Sequence, residues 1–521
     1  MKPPCDEALI RSGALGVPCV AAARSWTLVA TVLASSMAFI DSTVVNVALP
    51  AIQATFHASL ADMQWVIESF GLVLAALILV GGSLGDRFGR RLMFVVGVAI
   101  FALSSAACGA ATSIQQLIFA RSIQGLGAAL LVPGSLAIIS ASFDEKSRGQ
   151  AIGTWSGFTA ITTAGGPVLG GWLVEHASWR WAFFINLPLA VAVVVISFVY
   201  IEESRSASAT RVDWPGALLA SLGLSGLVYG FIETSAQGWD RPLVWGTLLV
   251  GLGCLIGFVM VEARVTSPMV PLTLFQSPGF LGANLLTLFL YAAIGIFFFL
   301  FPLNLIQVQQ YTATAAGAAM LPLVLLIFVL SRWSGGLVAH YGARKPLLIG
   351  PCLAALGFAL FAVPSIDGNY WRTFFPPVIV LGLGLAVTVA PLTTVVMNSV
   401  GPDHVGTASG INNAVARVAG VLAIAVLGIA MVGAFSARLN RGLAALWLPP
   451  GMGQQLQAGE IKLAGLQAPA SLNPESRAAI RELVRNSFVF GFRIILWICV
   501  GLSMTSAAVA WRLIAPGKPE K

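Results

Sequence analysis

Three ionisable residues interrupt apolar runs long enough to cross a bilayer: Asp41, Glu68 and Arg121. Charged side chains inside such runs are costly and by default mark proton relays or substrate paths. At 1.5 Å per residue, counting from Trp26 places Asp41 roughly 22 Å above the inner edge of its run. Arg121 falls about 10 Å below the outer edge, and Glu68 enters from outside only a few ångströms deep, three residues after Trp65. The similar depths predict one polar cavity in the first half of the chain, where a carboxylate loads and releases a proton. Burial favours the protonated carboxylate and a nearby arginine the ionised one, so proton affinity can switch with access. Each residue also has a plainer reading. Asp41 could serve as a helix-packing hydrogen bond, Arg121 as an ion pair between helices, and Glu68 as an interfacial residue.

Two further arginines lie within apolar runs, Arg417 near mid-membrane and Arg493 about 9 Å from the outer edge. Either they attract an anionic substrate or they satisfy backbone carbonyls. Arg332, near the inner end of its run, reads as a snorkelling side chain. Other chemistry is poorly served. The four histidines (His57, His176, His340, His404) stand in separate loops, and the six cysteines are scattered with no metal or disulfide spacing. No phosphate-cradling GxxxxGK[ST] loop occurs, which argues against an ATP-driven pump. The expectation is no metal, no cofactor and no enzyme, with a proton gradient as the energy source.

The elements that hold these residues are membrane spans. The chain is 57% hydrophobic and only 10% charged, against about a quarter charged in a soluble domain. Fourteen runs approach the roughly 20 residues a spanning helix needs. They fall at 26–48, 64–84, 92–111, 114–140, 150–171, 181–201, 216–233, 244–262, 280–302, 315–335, 346–364, 374–397, 407–433 and 487–511. Residues 1–25 hold no apolar signal core. With both tails (1–25 and 512–521) in the cytoplasm, inner segments collect 16 basic residues and the short outer loops only three, Arg180, Arg241 and Arg372. That asymmetry predicts both termini inside. The net charge of +8 thus belongs to cytoplasmic loops and does not point to nucleic acid.

The spans repeat. The hairpin Gly82-Ser-Leu-Gly-Asp-Arg-Phe-Gly-Arg-Arg-Leu92 returns, weakened, as Gly335-Gly-Leu-Val-Ala-His-Tyr-Gly-Ala-Arg-Lys345, an offset of 253 residues between Gly89 and Gly342. Gly125-Leu-Gly127 aligns with Gly382-Leu-Gly384, and Gly149 and Gly153 with Gly406 and Gly410, at an offset of 257. Runs 216–233 and 244–262 have no counterpart. The organisation is therefore a six-span half (26–201), a polar linker with two inserted spans (202–262) and a second six-span half (263–511). Repeats of this kind mark secondary transporters with a mid-membrane site between the halves. The outer loop 434–486 reads as a tether or as a docking surface for a periplasmic adaptor, and Asn473-Pro474-Glu475 predicts a capped helix leading into the last span. Span 5 carries Gly153-x-x-x-Gly157, a helix-packing pattern, and the more specific Gly166-Pro167-Val-Leu-Gly170-Gly171.

Taken together, these stretches resemble the major facilitator superfamily, and within it the 14-helix drug:proton antiporters. Gly82–Leu92 resembles its signature loop, Asp41-Ser-Thr-Val-Val-Asn-Val-Ala-Leu-Pro50 its first-span motif and Arg121-Ser-Ile-Gln-Gly-Leu-Gly127 its fourth-span motif. Gly166–Gly171 resembles the antiporter motif, followed by a similar Trp179-Arg-Trp-Ala-Phe-Phe-Ile-Asn186. Asp213-Trp-Pro-Gly216 and Gly406-Thr-Ala-Ser-Gly-Ile-Asn-Asn413 also fit. The resemblance covers about residues 26–511 and implies an all-α, two-half bundle of 14 transmembrane helices. It implies proton coupling by Asp41 and Arg121, with Glu68, which the pattern does not demand, tuning preference towards cations. Gly82, Gly85, Asp86, Arg87, Gly89 and Arg90 would form a cytoplasmic gate, the charged ones latching the halves. Gly166, Pro167, Gly170 and Gly171 would shape the conformational change and limit leak. Two positions depart from the pattern: Thr162 replaces a glycine, and Ala339 and His340 weaken the second hairpin. The implied activity is proton-coupled export of amphipathic, lipophilic compounds, cations among them, across the inner membrane. The alternative is a narrow exporter of one endogenous metabolite, antibiotic or lipid. Aromatic residues Phe297–Phe299, Phe301 and Trp333 suit loose apolar recognition, or else simply face lipid.

Overall fold

A computed structural model describes residues 21–515, except 144, 206–212, 266–267, 269, 367, 401–404, 445–451, 453–455, 457–459, 467–468 and 470–471. The tails 1–20 and 516–521, His404 and most of the 202–213 linker lie outside the described residues, as do the side chains of Asp86, Arg332 and Ala339. No strand occurs among the described residues. Lipid offers backbone groups no hydrogen bonds, so each span must satisfy its own, and helices result.

Among the described residues fourteen long helices follow one another: α1 (Ala21–Phe56), α2 (Leu60–Phe88), α3 (Arg90–Ala110), α4 (Ile114–Ser142), α5 (Glu145–His176), α6 (Asn186–Tyr200) and α7 (Trp214–Gln237), then α8 (Pro242–Glu262), α9 (Pro278–Leu303), α10 (Leu321–Tyr341), α11 (Arg344–Phe361), α12 (Phe375–Asn398), α13 (Val405–Leu443) and α14 (Pro474–Leu513). Short helical turns, Trp181–Phe184 and Ala313–Ala318, lead into α6 and α10. Among the described residues thirteen helical segments are long and apolar enough to cross a membrane. The remaining long helix, α5, occupies the position of the fifth span.

Helix ends are set by local chemistry. Ser59 and Asp62 form a reciprocal capping box that starts α2 four residues earlier than the apolar run alone indicates. Asp213 and Asn473 cap α7 and α14 more simply, each side chain accepting from a backbone nitrogen three residues on, Gly216 and Ser476. Helix takes up both ends of the 434–486 segment: α13 runs to Leu443 and α14 begins at Pro474, so the predicted leading helix and the last span are continuous.

The repeat appears as packing. A Cβ on Gly127 would lie 2.8 Å from the carbonyl of Gly97 and 2.5 Å from the nitrogen of Phe101. A Cβ on Gly384 would meet Gly350 at 2.8 Å and the nitrogen of Ala354 at 2.5 Å. Hydrocarbon gives helices little hydrophobic reason to associate, so close contact across small residues supplies the attraction. Both hairpin glycines also match, Gly89 at φ 125° and Gly342 at φ 75°.

Phe297, Phe299 and Phe301 are buried inside the second half, where the ring of Phe297 lies 4.9 Å from those of both Phe301 and Phe361. They form core rather than a recognition surface, whereas Trp333 is exposed. The halves meet closely on the face opposite the Gly82–Leu92 hairpin, here named the loop face. There Gln307 donates to Gln53 (2.7 Å), Gln64 to the carbonyl of Ile424 (2.8 Å) and the nitrogen of Thr314 to Glu175 (3.4 Å).

Candidate functional site

Asp41 and Arg121 are buried together in the first half. Arg121 Nη1 donates to Asp41 Oδ2 and, at 2.7 Å, to Gln124 Oε1, while Nε donates to the carbonyl of Val66 at 3.1 Å. Gln124 Nε2 donates to the other Asp41 oxygen at 2.9 Å, and Asn186 Nδ2 reaches the same oxygen at 3.5 Å. Asn186 is steadied by Ser105 (3.0 Å), whose hydroxyl donates to the carbonyl of Phe183. The guanidinium lies 4.3 Å from the centroid of Phe70, a cation–π contact in a desolvated place. Helices α1, α2, α3, α4 and α6, with the lead-in turn to α6, thus gather around one carboxylate. Such an arrangement can hold an ion pair or, if Asp41 is protonated, a cation with its remaining donors engaged.

Glu68 does not join this cluster. Arg121 meets α2 at Val66 and Phe70, whereas Gln64, Glu68, Gly71 and Ala75 share another face at helical spacing. That face packs on α13: Gln64 reaches Ile424 and Gly428, and Gly71 lies against Val421. Glu68 therefore points into the seam between the halves, fully buried, and among the described residues neither carboxylate oxygen has a hydrogen-bond partner. The expectation of a shallow residue sharing one cavity with Asp41 and Arg121 gives way to two separate buried sites. The reason is the early start of α2, which carries Glu68 eight residues below the helix start, about 12 Å.

Arg417 is half-buried on α13, about two turns towards the hairpin face from the level of Glu68. Among the described residues no hydrogen bond or ion pair reaches it. Arg493 donates to the carbonyls of Val363 and Pro364, both at 3.1 Å, the carbonyl-satisfying arrangement.

The span-5 motif lies along two seams. Gly166 and Gly170 press on Thr43 and Val44 of α1, two and three residues beyond Asp41. Gly171 meets the carbonyl of Ala313, where a Cβ would be 2.3 Å away, and Gly317 meets the carbonyl of Pro167, where it would be 2.0 Å away. Thr162 lies 3.2 Å from Ser36 of α1.

At the hairpin, Glu203 accepts from the backbone nitrogens of Arg91 and Leu92, both at 3.0 Å, and so caps α3 with a negative charge. Arg91 Nη1 donates to the carbonyl of Ile201, and Arg90 N to that of Ser204. A Cβ on Gly89 would lie 2.7 Å from the Glu203 carboxylate, a second demand for glycine besides its φ. Gly85 closes the turn through its carbonyl, which accepts from Gly89 N at 3.0 Å, and Gly82 lies against Pro133. Arg87 is exposed, stacked on Phe88. These contacts dock the hairpin on the end of its own half.

The sequence profile of the Major Facilitator Superfamily matches residues 31–424. The chain belongs to that superfamily. This transporter is 34% identical to the tetracenomycin C resistance and export protein of Streptomyces glaucescens over 94% of its own length and 91% of that protein. It is 36% identical to the multidrug resistance protein Stp of Mycobacterium tuberculosis (strain CDC 1551 / Oshkosh), over 80% of this chain and 77% of that one. Among solved structures, its fold resembles a bacterial homologue of the human lysosomal transporter Spinster in an inward-facing, unoccupied conformation. The TM-score is 0.61 at 17% identity, covering 95% of this chain and 99% of that one.

Three site residues of the transporter escaped sequence reasoning. Gln124 sits three residues after Arg121, a helical neighbour spacing, and Asn186 is the one polar side chain opening the sixth apolar run. Both signals were present in quoted motifs. Glu203 gave none, because its partner is 112 positions away.

Proposed function

We propose that the protein exports amphipathic compounds from the cytoplasm in exchange for inward-moving protons, with Asp41 as the proton carrier. The observation that carries this is the dry Asp41–Arg121 pair, closed by Gln124 and Asn186. Protonating Asp41 cancels the attraction between α1 and α4 while Arg121 keeps Gln124, Val66 and Phe70. Thr43 and Val44 lie on the same helix as Asp41, against Gly166 and Gly170, and the next motif residues touch the 313–318 turn of the second half. A shift of α1 is thereby passed to the seam that must open.

Glu68 contributes to coupling differently. Sealing an ionised carboxylate with no donor costs several kcal/mol. The seam closes around it only when the charge is cancelled, by a proton or by a cationic group. The hairpin face is cytoplasmic and both termini are inside, as the basic-residue asymmetry supports, and the membrane we assign is the inner membrane. A periplasmic adaptor would dock on the outer segment 434–486.

A second reading, export of one antibiotic or metabolite, is favoured by the tetracenomycin C relative, whereas the multidrug relative favours breadth. Efflux of a fluorescent lipophilic cation from a pump-deficient host tests the main reading. Protonophore-sensitive efflux by wild type that disappears with Asp41→Asn is expected. Undiminished, gradient-driven efflux by the variant would overturn the role of Asp41. No efflux by a well-expressed wild type would move the substrate to the narrow class.

A further inference from the structure

Among the described residues, three arginine side chains lie deep in the spans, and they differ in what meets their charge. Arg121 has the Asp41 carboxylate, and Arg493 has the carbonyls of Val363 and Pro364. Arg417 has neither. A guanidinium keeps its proton at any physiological pH, so burial cannot be relieved by losing the charge. Water or an anion has to meet it.

Helix register shows what surrounds Arg417. Gly428 lies against Gln64 and Val421 against Gly71, an antiparallel register that sets Ala75 of α2 opposite Arg417. Val421, Ile424 and Gly428 follow Arg417 by four, seven and eleven residues and so share its face of α13. Ala75 offers no charge, and Glu68 stands seven residues away, roughly 10 Å along the seam. On its other flank α13 packs on α9. Asn412 donates to Thr287 at 2.7 Å, and a Cβ on Gly295 would lie 2.7 Å from the Cα of Gly420. Both pairs are 125 residues apart, which brings Tyr291 to the level of Ala416, the residue before Arg417.

The Tyr291 hydroxyl and the Arg417 guanidinium have no hydrogen-bond partner among the described residues. Unlike the oxygens of Glu68, they are not sealed: both side chains are only half-buried and keep open surface. Ala75 and Val421 belong to the apolar cluster between α2, α7 and α13, so hydrocarbon surface borders the polar pair.

We propose that Arg417 is an anion-recognition point on the transport path, binding the carboxylate of an amphipathic acid while Tyr291 donates a second hydrogen bond. The inference rests on the export reading and narrows its substrates to a class that includes acids. A planar guanidinium holds a carboxylate through two parallel hydrogen bonds, which an alcohol cannot copy. Arg417 lies on the hairpin side of the Gln64–Ile424 and Gln307–Gln53 contacts that hold the loop face together, so the acid enters from the hairpin face.

The test is equilibrium binding to the full chain in phosphatidylcholine nanodiscs, with empty nanodiscs subtracted. Pyrenebutyric acid and pyrenebutanol share one apolar body and differ in the acid. Wild type should bind the acid about tenfold more tightly, the margin of one good charge-assisted pair. Arg417→Gln should erase that margin and leave alcohol binding unchanged. Arg417→Lys keeps the charge without the fork and should retain about threefold. Tyr291→Phe should weaken acid binding about threefold, and Arg493→Gln should leave the margin intact. Equal binding of both probes by wild type, or a margin that survives Arg417→Gln, would overturn the proposal. So would displacement of the acid by added phosphatidylglycerol, which would give the site to a lipid headgroup. Should Arg417→Gln bind neither probe, Arg417→Lys and Tyr291→Phe decide, and a full margin in both overturns the proposal. Binding is read without a proton gradient. A margin without protonophore-sensitive efflux would therefore sink the export reading alone, and efflux without a margin would sink the acid site alone.

Discussion

Asp41 and Glu68 are carboxylates with no exposed surface, on consecutive helices of the same half, and their surroundings are opposite. Asp41 has a guanidinium, two amides and every oxygen engaged, all from its own half. Glu68 has none among the described residues, and it faces the other half across a seam that transport must open. A saturated carboxylate can cycle its proton without the halves parting. An unsaturated one in a seam makes closure depend on its charge. Burial alone therefore says little about how an intramembrane acid works; the ownership of its partners says more.

The comparison can be broken by neutralising each acid in turn. Asp41→Asn leaves Arg121 buried without a counter-charge, a loss of about 3–5 kcal/mol. It should abolish gradient-driven export and lower the unfolding temperature in detergent. Adding Arg121→Gln should recover stability but not export. If the single variant melts like wild type, the ion pair is not what holds α1 to α4.

Glu68→Gln should behave otherwise. No donor is lost, so stability should stay within about 0.5 kcal/mol of wild type. Efflux of a cationic amphipath should fall more than that of a neutral one. Destabilisation matching that of Asp41→Asn would mean that Glu68 has a hidden partner, and the distinction would collapse.

The smallest effect is expected at the hairpins, which sharpen the contrast between the halves. Glu203→Ala removes an anionic cap from α3 and should cost about 1 kcal/mol, read by thermal unfolding. The second hairpin has no such carboxylate in the described contacts and leans instead on Arg344 over Trp511, 5.7 Å from its ring centroid. His340→Ala there should change stability less than Glu203→Ala does. The reverse order would show that the weakened repeat carries the greater load.

Much of this protein was legible in its sequence because the governing forces are local or periodic. Hydrocarbon demands helices of a given length, so apolar runs reveal them. Close helix contact demands glycine, so Gly125 and Gly127 with Gly382 and Gly384 carry the repeat in their spacing, and a left-handed turn reveals Gly89 and Gly342. Asp41 and Arg121 were visible because charge in an apolar run is costly wherever it is placed. Which charges meet was not visible. That depends on the rotation of α2 about its axis and on where Ser59 and Asp62 start it, and together these turn Glu68 from Arg121 to α13. Only tertiary structure could also bring Glu203 back across 112 positions to Arg91. A side chain's partners are set by neighbours distant in the chain, and pattern along the chain carries no record of them.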